Sequence, residues 1–402
     1  MYHERISEEE GNIFGTLTID GVNSKKFDLS GAYEYYSNGS TVLTFDVTKD
    51  ADVQSFPRQS DIKIPISFDG KTNHGDFFRA YGLVIIHHES KQDKINVRLE
   101  AQNCIITNKT NNPKICQIEY ILDNFELSSL IGDFTFKTGR AEFQLAIIKG
   151  YNENLEKLKK FSGVLPTCIL IVKPNGLTEK YIDRLVDRVL HILSFAKSTY
   201  ISCSYKTVFY DDKTFKRELH SSKKMPFDYG LSVLDFSGDK VKSIIEPGLK
   251  IWSELETKYG LMGVIELYIE ALAPTNIDAK IALQCIAFER LKYCYREYCK
   301  KNGQHTKVQH QTKKGLWVNN SFEDILIDLF KDAGFRFRKS DLKFINIRND
   351  IIHEGQLKFF KRQWKVFYKQ RAFLVRLILT VVGYQGGYDI NFGRGSVRNV
   401  IY

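Results

Sequence analysis

Seven residues near the end of the chain, Ile347-Arg-Asn-Asp-Ile-Ile-His353, gather four side chains suited to polar chemistry. An imidazole titrates near neutral pH, so His353 can take or give a proton. A guanidinium presents a rigid fork that matches a phosphate or a developing oxyanion, which suits Arg348. Asn349 and His353 are four apart and share a face of a helix. Arg348 lies about 140° around from His353 at roughly 100° per residue. Its long side chain reaches the same pocket at a helix end or across a partner. Asn349 can orient His353 or hydrogen-bond a phosphate, and Asp350 points elsewhere on the helix as a supporting residue. The chemistry on offer is proton transfer beside a fixed cation.

The elements that must hold these residues are helical. Ser340 and Asp341 open a helix that runs through Phe344, Ile347, Ile351 and Ile352 to about Glu354, and Gly355 stops it. Before it, Asn276 to Lys300 carries an apolar stripe of Ile277, Ile281, Cys285, Phe288, Leu291, Tyr295 and Tyr298, with Asn276 or Thr275 as its cap. Ser321 with Asp324 has the spacing of a capping box and opens another helix, closed by Gly334. Phe359 to Val382 gives one more, with Phe360, Trp364, Phe367, Leu374 and Ile378. Lys240 to Tyr259 contains Pro247 and is expected to bend or break there. Met262 to Leu272 is short and apolar. Lys301 to Gly315 reads as a polar, basic connection, and the tail from Gln385 reads as flexible.

The first part of the chain alternates with a period of two. Asn12–Ile19, Thr41–Val47, Asp61–Phe68, Lys94–Ala101, Cys116–Leu122 and Ala141–Ile148 are strand patterns separated by turns such as Asp69-Gly70. An antiparallel sandwich or barrel is expected. Thr167–Val172 and 201–217 read as further strands, with a helical spacing between Leu177 and Ser198, so the middle section extends the β region into an α+β unit. The predicted division is 1–238, β-rich with a subdomain break near 150–165, and 239–402, helical with a short tail. The fold class is α+β multidomain.

Composition bounds the function classes. The hydrophobic fraction of 43 % and charged fraction of 26 % are those of a globular protein. The start, Met1-Tyr-His-Glu-Arg, lacks the basic and apolar segments of a secretory signal, and no stretch approaches the ~18 apolar residues of a membrane span. The seven cysteines match no zinc spacing. A cytoplasmic protein with reduced thiols and no membrane contact is expected. The net charge of +10 is unevenly distributed: from Asn276 onward there are 24 Lys and Arg against 11 Asp and Glu, while the remainder is slightly acidic. Such asymmetry points to a polyanionic partner for the last third, nucleic acid first.

The segment Arg348-Asn349-Asp350-Ile351-Ile352-His353 resembles the motif of HEPN domains: an Arg, commonly followed by a polar residue, and a His after four to six intervening residues. The long preceding helix, the motif on a later helix and a β-rich first part together resemble the ApeA-like anti-phage family. The resemblance is specific for roughly the last 140 residues and looser before them. It implies an all-α HEPN bundle and a metal-independent endoribonuclease that needs no cofactor. It also implies a homodimer formed through the HEPN domain, with the two motifs meeting at the interface. Arg348 and His353, with Asn349, are the catalytic residues it implies, and Glu289 and Asp350 support them. RNA, with tRNA among the candidates, is the implied substrate, and a phage-derived trigger the implied activator in abortive-infection defence. The first region would sense that trigger or restrain the nuclease.

Other groups carry less. Lys313 and Lys314 near Trp317, and Arg336, Arg338 and Lys339 near Phe335 and Phe337, combine cations and aromatics that could hold phosphates and stack bases, or else pack into the bundle. His87 and His88 are adjacent in a strand pattern and point to opposite faces, which disfavours shared metal ligation. No glycine-rich phosphate loop and no nucleophile elbow occurs. The alternative reading is a non-catalytic RNA-binding or dimerisation protein whose β region recognises a ligand or partner.

Overall fold

The computed structural model describes residues 7–20, 25–36, 40–48, 65–90, 94–108, 113–127, 134–161, 164–211, 213–220, 232–234, 238–273, 276–338, 342, 347–348, 363–391 and 396–401. Two compact units divide the chain. The first holds residues 1–126, 132–182 and 202–224; the second holds 127–131, 183–201 and 225–402. The sequence reading put everything up to 238 in the first region, whereas the packing assigns 183–201 to the second. Helical periodicity reports that a segment has an apolar face, and not what that face meets.

The first unit is built on strands β1 (Ser7–Ile19), β2 (Lys25–Tyr36), β3 (Thr41–Thr48), β4 (Ile66–Thr72), β5 (Phe77–Tyr81), β6 (Val84–Ser90), β7 (Lys94–Ala101), β8 (Asn103–Thr107), β9 (Ile115–Asp123), β10 (Phe134–Thr138) and β11 (Ala141–Ile147). Helix α1 (Tyr151–Phe161) and strand β12 (Pro166–Lys173) follow, then β13 (Ser202–Tyr210) and β14 (Phe215–His220); between β12 and β13 runs α2 (Glu179–Lys197), of which residues 183–197 count to the second unit. All fourteen strands join one antiparallel sheet in the order β10-β11-β12-β9-β13-β14-β8-β5-β4-β1-β2-β3-β7-β6. Alternation explains the strands: Ile118, Tyr120 and Leu122 of β9 are buried, and Gln117, Glu119 and Ile121 that alternate with them are half-buried. The sequence reading missed α1, whose Tyr151, Leu155 and Leu158 recur at helical spacing and are buried.

The sheet curls back on itself. Phe45 on β3 and Phe68 on β4 are three strand spacings apart, about 14 Å on a flat sheet, yet their ring centroids are 5.2 Å apart. Tyr35 on β2 and Tyr205 on β13 are six spacings apart, about 29 Å when flat, and their centroids are 5.7 Å apart. The rolled face encloses a core from β1 to β8, including Ile13, Leu43, Phe68, Phe78, Val97 and Ile106.

A charged cluster is folded into this unit. Lys206 Nζ lies 2.6 Å from Glu179 Oε1 and 3.1 Å from Glu218 Oε2, while Lys216 Nζ lies 3.0 Å and 2.5 Å from the same two carboxylates. Lys206 is buried, and its side chain keeps only 4 % of its surface. Burial pushes the Glu218 carboxyl up, but a hydrogen bond from His220 and the charges of Lys206 and Lys216 outweigh it and hold the group well below the usual carboxylate range.

The second unit contains α3 (Gly238–Tyr259), α4 (Leu261–Glu270) and α5 (Ile277–Lys301), then strands β15 (Gln309–Gln311) and β16 (Trp317–Asn319). After them come α6 (Phe322–Asp332), α7 (Gln363–Val381), β17 (Gly386–Asn391) and β18 (Ser396–Ile401). Helix α3 runs unbroken across Pro247, because Ile244, Ile245, Leu249 and Trp252 bury its apolar face on both sides of the proline. The tail expected to be flexible is a hairpin of β17 with β18. Tyr388 is buried, and the Asp389 N–H donates to Val233 O at 2.8 Å. The glycines there masked a short alternating pattern. Lys301 to Gly315, expected as a connection, likewise contains half of the β15–β16 hairpin. Among the described residues no helix is long and apolar enough to cross a membrane.

Candidate functional site

Helix α5 is the backbone of the site. Its cap is Asn276, whose side chain accepts from the Ala279 N–H at 2.9 Å. Ile281, Cys285, Phe288, Leu291, Tyr295 and Cys299 face the core, which places Glu289 and Lys292 at the edge of the buried stripe. Helix α7 packs beside it. Gln363 Nε2 donates to Asp278 Oδ1 at 2.9 Å, and Gln370 Nε2 lies 3.6 Å from Cys285 Sγ. The pairs advance in step along both helices, so α5 and α7 run in the same direction. Helix α6 enters through Ser321, whose Oγ accepts from the Asp324 N–H at 3.1 Å and donates to Asp324 Oδ2 at 2.6 Å. We expect Ser321→Ala to lower stability by about 1 kcal/mol through loss of this cap, measured by denaturant unfolding. An unchanged midpoint would show that the cap is not stabilising.

Arg348 and Glu289 come together. Ile347 and Arg348 are helical, and the Arg348 Nη2 pairs with Glu289 Oε1. Glu289 Oε2 is 2.6 Å from Lys292 Nζ. The carboxylate is thus held by a cation on each oxygen. Phe322, the first residue of α6, lies beneath both cations: the guanidinium carbon is 4.7 Å and the Lys292 Nζ 4.9 Å from its ring centre. Two cations and one anion leave the cluster with one net positive charge. The Arg348 side chain keeps 23 % of its surface, so it is fixed and still reachable.

Behind the cluster the helices are polar at unexpected positions. Gln284 and Gln370 are fully buried, and the side-chain nitrogen and oxygen of Gln284 have no hydrogen-bond partner among the described residues. Burial pushes the Cys285 thiol up to about 11, against the opposing influence of the Gln370 hydrogen bond and the Arg348 charge. Cys285 is therefore a thiol at neutral pH and offers no thiolate nucleophile.

The predicted residues fare differently. Arg348 and Glu289 are brought together, while Asn349, Asp350, His353 and Lys339 lie outside the described residues. Lys313 and Lys314 are exposed in the turn between β15 and β16. Arg336 and Arg338 are exposed, but of the aromatics beside them Phe335 is buried and Phe337 is half-buried. Phe335 and Phe337 pack on Phe330 with centroids 5.5 and 5.3 Å away, and Phe335 is 4.9 Å from Phe373. That pair is unsuited to base stacking. Sequence reasoning missed Phe322, Gln284 and Gln370. Only the glutamines left a signal, as polar residues at core-facing positions of apolar helices.

Comparison with known proteins finds no matching family model, no matching curated protein and no matching solved structure.

Proposed function

We propose that the chain is a metal-independent endoribonuclease whose second unit is of HEPN type and cuts RNA as a homodimer. The observation that carries this reading is the pairing of Arg348, on the motif segment, with Glu289, on the long helix, over the ring of Phe322. It supplies what phosphodiester cleavage needs of the protein, a cation fixed in place before charge develops.

In the proposed reaction the ribose 2′-oxygen attacks phosphorus and the bond to the 5′-oxygen breaks. One proton leaves the 2′-hydroxyl and one arrives on the 5′-oxygen, with His353 and its counterpart in a second copy serving as base and acid. Arg348 stabilises the phosphorane charge. Asn349 orients His353, and Asp350 supports the segment. The homodimer draws support from α5: Ile286 and Tyr293 are exposed on either side of Glu289 and share its face, leaving an apolar surface for a second copy beside the cation. The first unit would sense a phage-derived trigger or restrain the nuclease in a cytoplasmic, abortive-infection setting, with tRNA among the candidate substrates.

The test is growth arrest and RNA integrity after induced expression of the wild type and His353→Ala, with phage infection supplied if the wild type alone is silent. Arrest with RNA fragments from the wild type only is the expected result. Equal fragmentation by both proteins removes His353 from the chemistry. RNA binding without cleavage by either shifts the reading to the alternative, a binding or dimerisation protein in which Glu289 merely neutralises Arg348.

A further inference from the structure

From Tyr298 to Phe322 the chain has five lysines, two histidines and no aspartate or glutamate. At its centre, β15 and β16 form a hairpin with Gln311 opposite Trp317, His310 opposite Val318 and Gln309 opposite Asn319. The turn is closed by Thr312 N–H to Leu316 O and Gly315 N–H to Thr312 O, both at 2.8 Å, with Gly315 at φ 79°. The base is tied by the Asn320 N–H to Val308 O at 2.9 Å, and Val308 is buried. The hairpin is therefore preformed and needs little ordering on binding.

Its apolar residues are on the outside. Leu316 is 65 %, Trp317 52 % and Val318 38 % exposed. Strand alternation puts Trp317 on one face with Gln309, Gln311 and Asn319, between amides that can both donate and accept. Lys313 and Lys314 sit in the adjoining turn. An indole face, amides and the exposed cations Lys313 and Lys314 form the surface that unpaired nucleotides require: stacking for the base, donors and acceptors for its edge, and charge for the phosphates. A duplex keeps its bases stacked internally and has no free face to offer Trp317.

The hairpin is also continuous with the site. Trp317 is five residues before Phe322, at most about 18 Å of extended chain, and Phe322 is the ring beneath Arg348. We infer that the β15–β16 hairpin is a binding site for single-stranded RNA, with Trp317 stacking an unpaired base and Lys313 and Lys314 holding phosphates, and that it presents this strand toward Arg348. The last clause rests on the nuclease reading; the binding does not.

The experiment measures binding of a short 2′-O-methyl oligonucleotide, single-stranded and as a duplex, to the full chain over a range of salt. The methyl group blocks the attacking oxygen, so binding is read without cleavage. Single strand should bind more tightly than duplex. Trp317→Ala should weaken it about tenfold, the effect of losing one stacked base, with the salt dependence unchanged, and Trp317→Phe should retain most of the affinity. Lys313→Gln with Lys314→Gln should instead reduce the slope of log K against log salt by about 1.4, for two phosphates. In a Trp364→Phe background, where buried Trp252 is the other tryptophan, the oligonucleotide should quench the Trp317 emission. Wild-type binding by all hairpin variants, equal affinity for duplex, or a change of oligomeric state in their place would overturn the inference. Cleavage of ordinary RNA is assayed separately. Hairpin-dependent binding without cleavage removes the nuclease reading and keeps this one, and cleavage without hairpin-dependent binding does the reverse.

Discussion

Arg348→Ala should lower cleavage of RNA by the purified chain by about 10²–10³-fold, the usual loss when one fixed donor to a developing oxyanion is removed. Fold stability should change little, because Glu289 keeps Lys292 as a partner at 2.6 Å. Arg348→Lys should recover only a small part of the rate: a point charge on a flexible stem does not reproduce a planar fork held between a carboxylate and an aromatic face. Glu289→Gln separates positioning from charge. It raises the local charge from one positive to two, which favours RNA binding, and it releases the guanidinium from its fixed place. A lower kcat with an unchanged or lower KM is the expected pattern. Single-turnover cleavage of labelled RNA, with thermal unfolding as the control, measures all three variants. Wild-type rates for a folded Arg348→Ala protein would take Arg348 out of the chemistry.

Lys206→Ala is expected to destabilise the first unit strongly. Removing one partner of a buried ion pair typically costs about 3–5 kcal/mol, since the remaining charges are left poorly compensated in a medium that solvates them weakly. Here Glu179 and Glu218 would share Lys216, with His220 as a further partner of Glu218 only. A fall in melting temperature on the order of 10 °C follows for a unit of this size. The cluster also predicts a pH dependence. The Glu218 carboxyl is held below its unfolded value, so its contribution is fully present above about pH 4.5 and is lost as pH falls toward the folded value. The stability difference between wild type and Glu218→Gln should therefore be constant near neutrality and close progressively below about pH 4.5. Urea unfolding at a series of pH values measures it. A Lys206→Ala protein as stable as wild type, or a difference that grows on acidification, would show that these pairs do not stabilise the fold.

Much of the local structure is determined by sequence alone. Period-two alternation places strands such as β3, β7, β9 and β11, because each must bury one face and wet the other. Apolar residues at threes and fours define α5, Ser321 caps α6, and residue chemistry singles out Arg348, Lys313 and Lys314. Tertiary structure decided the rest. The order of fourteen strands and the curl that brings Tyr35 to Tyr205 depend on pairings between distant segments that no local period encodes. The three-residue strands of the β15–β16 hairpin are too short to show a period at all. Phe335 and Trp317 look alike in sequence, each an aromatic among cations, yet one is packed into a cluster of phenylalanines and the other stands in solvent. Only packing separates them, because burial belongs to the assembled surface and not to the residue. The same holds for Arg348: its sequence position names a cation, and the carboxylate and ring that fix it are carried in by two other helices.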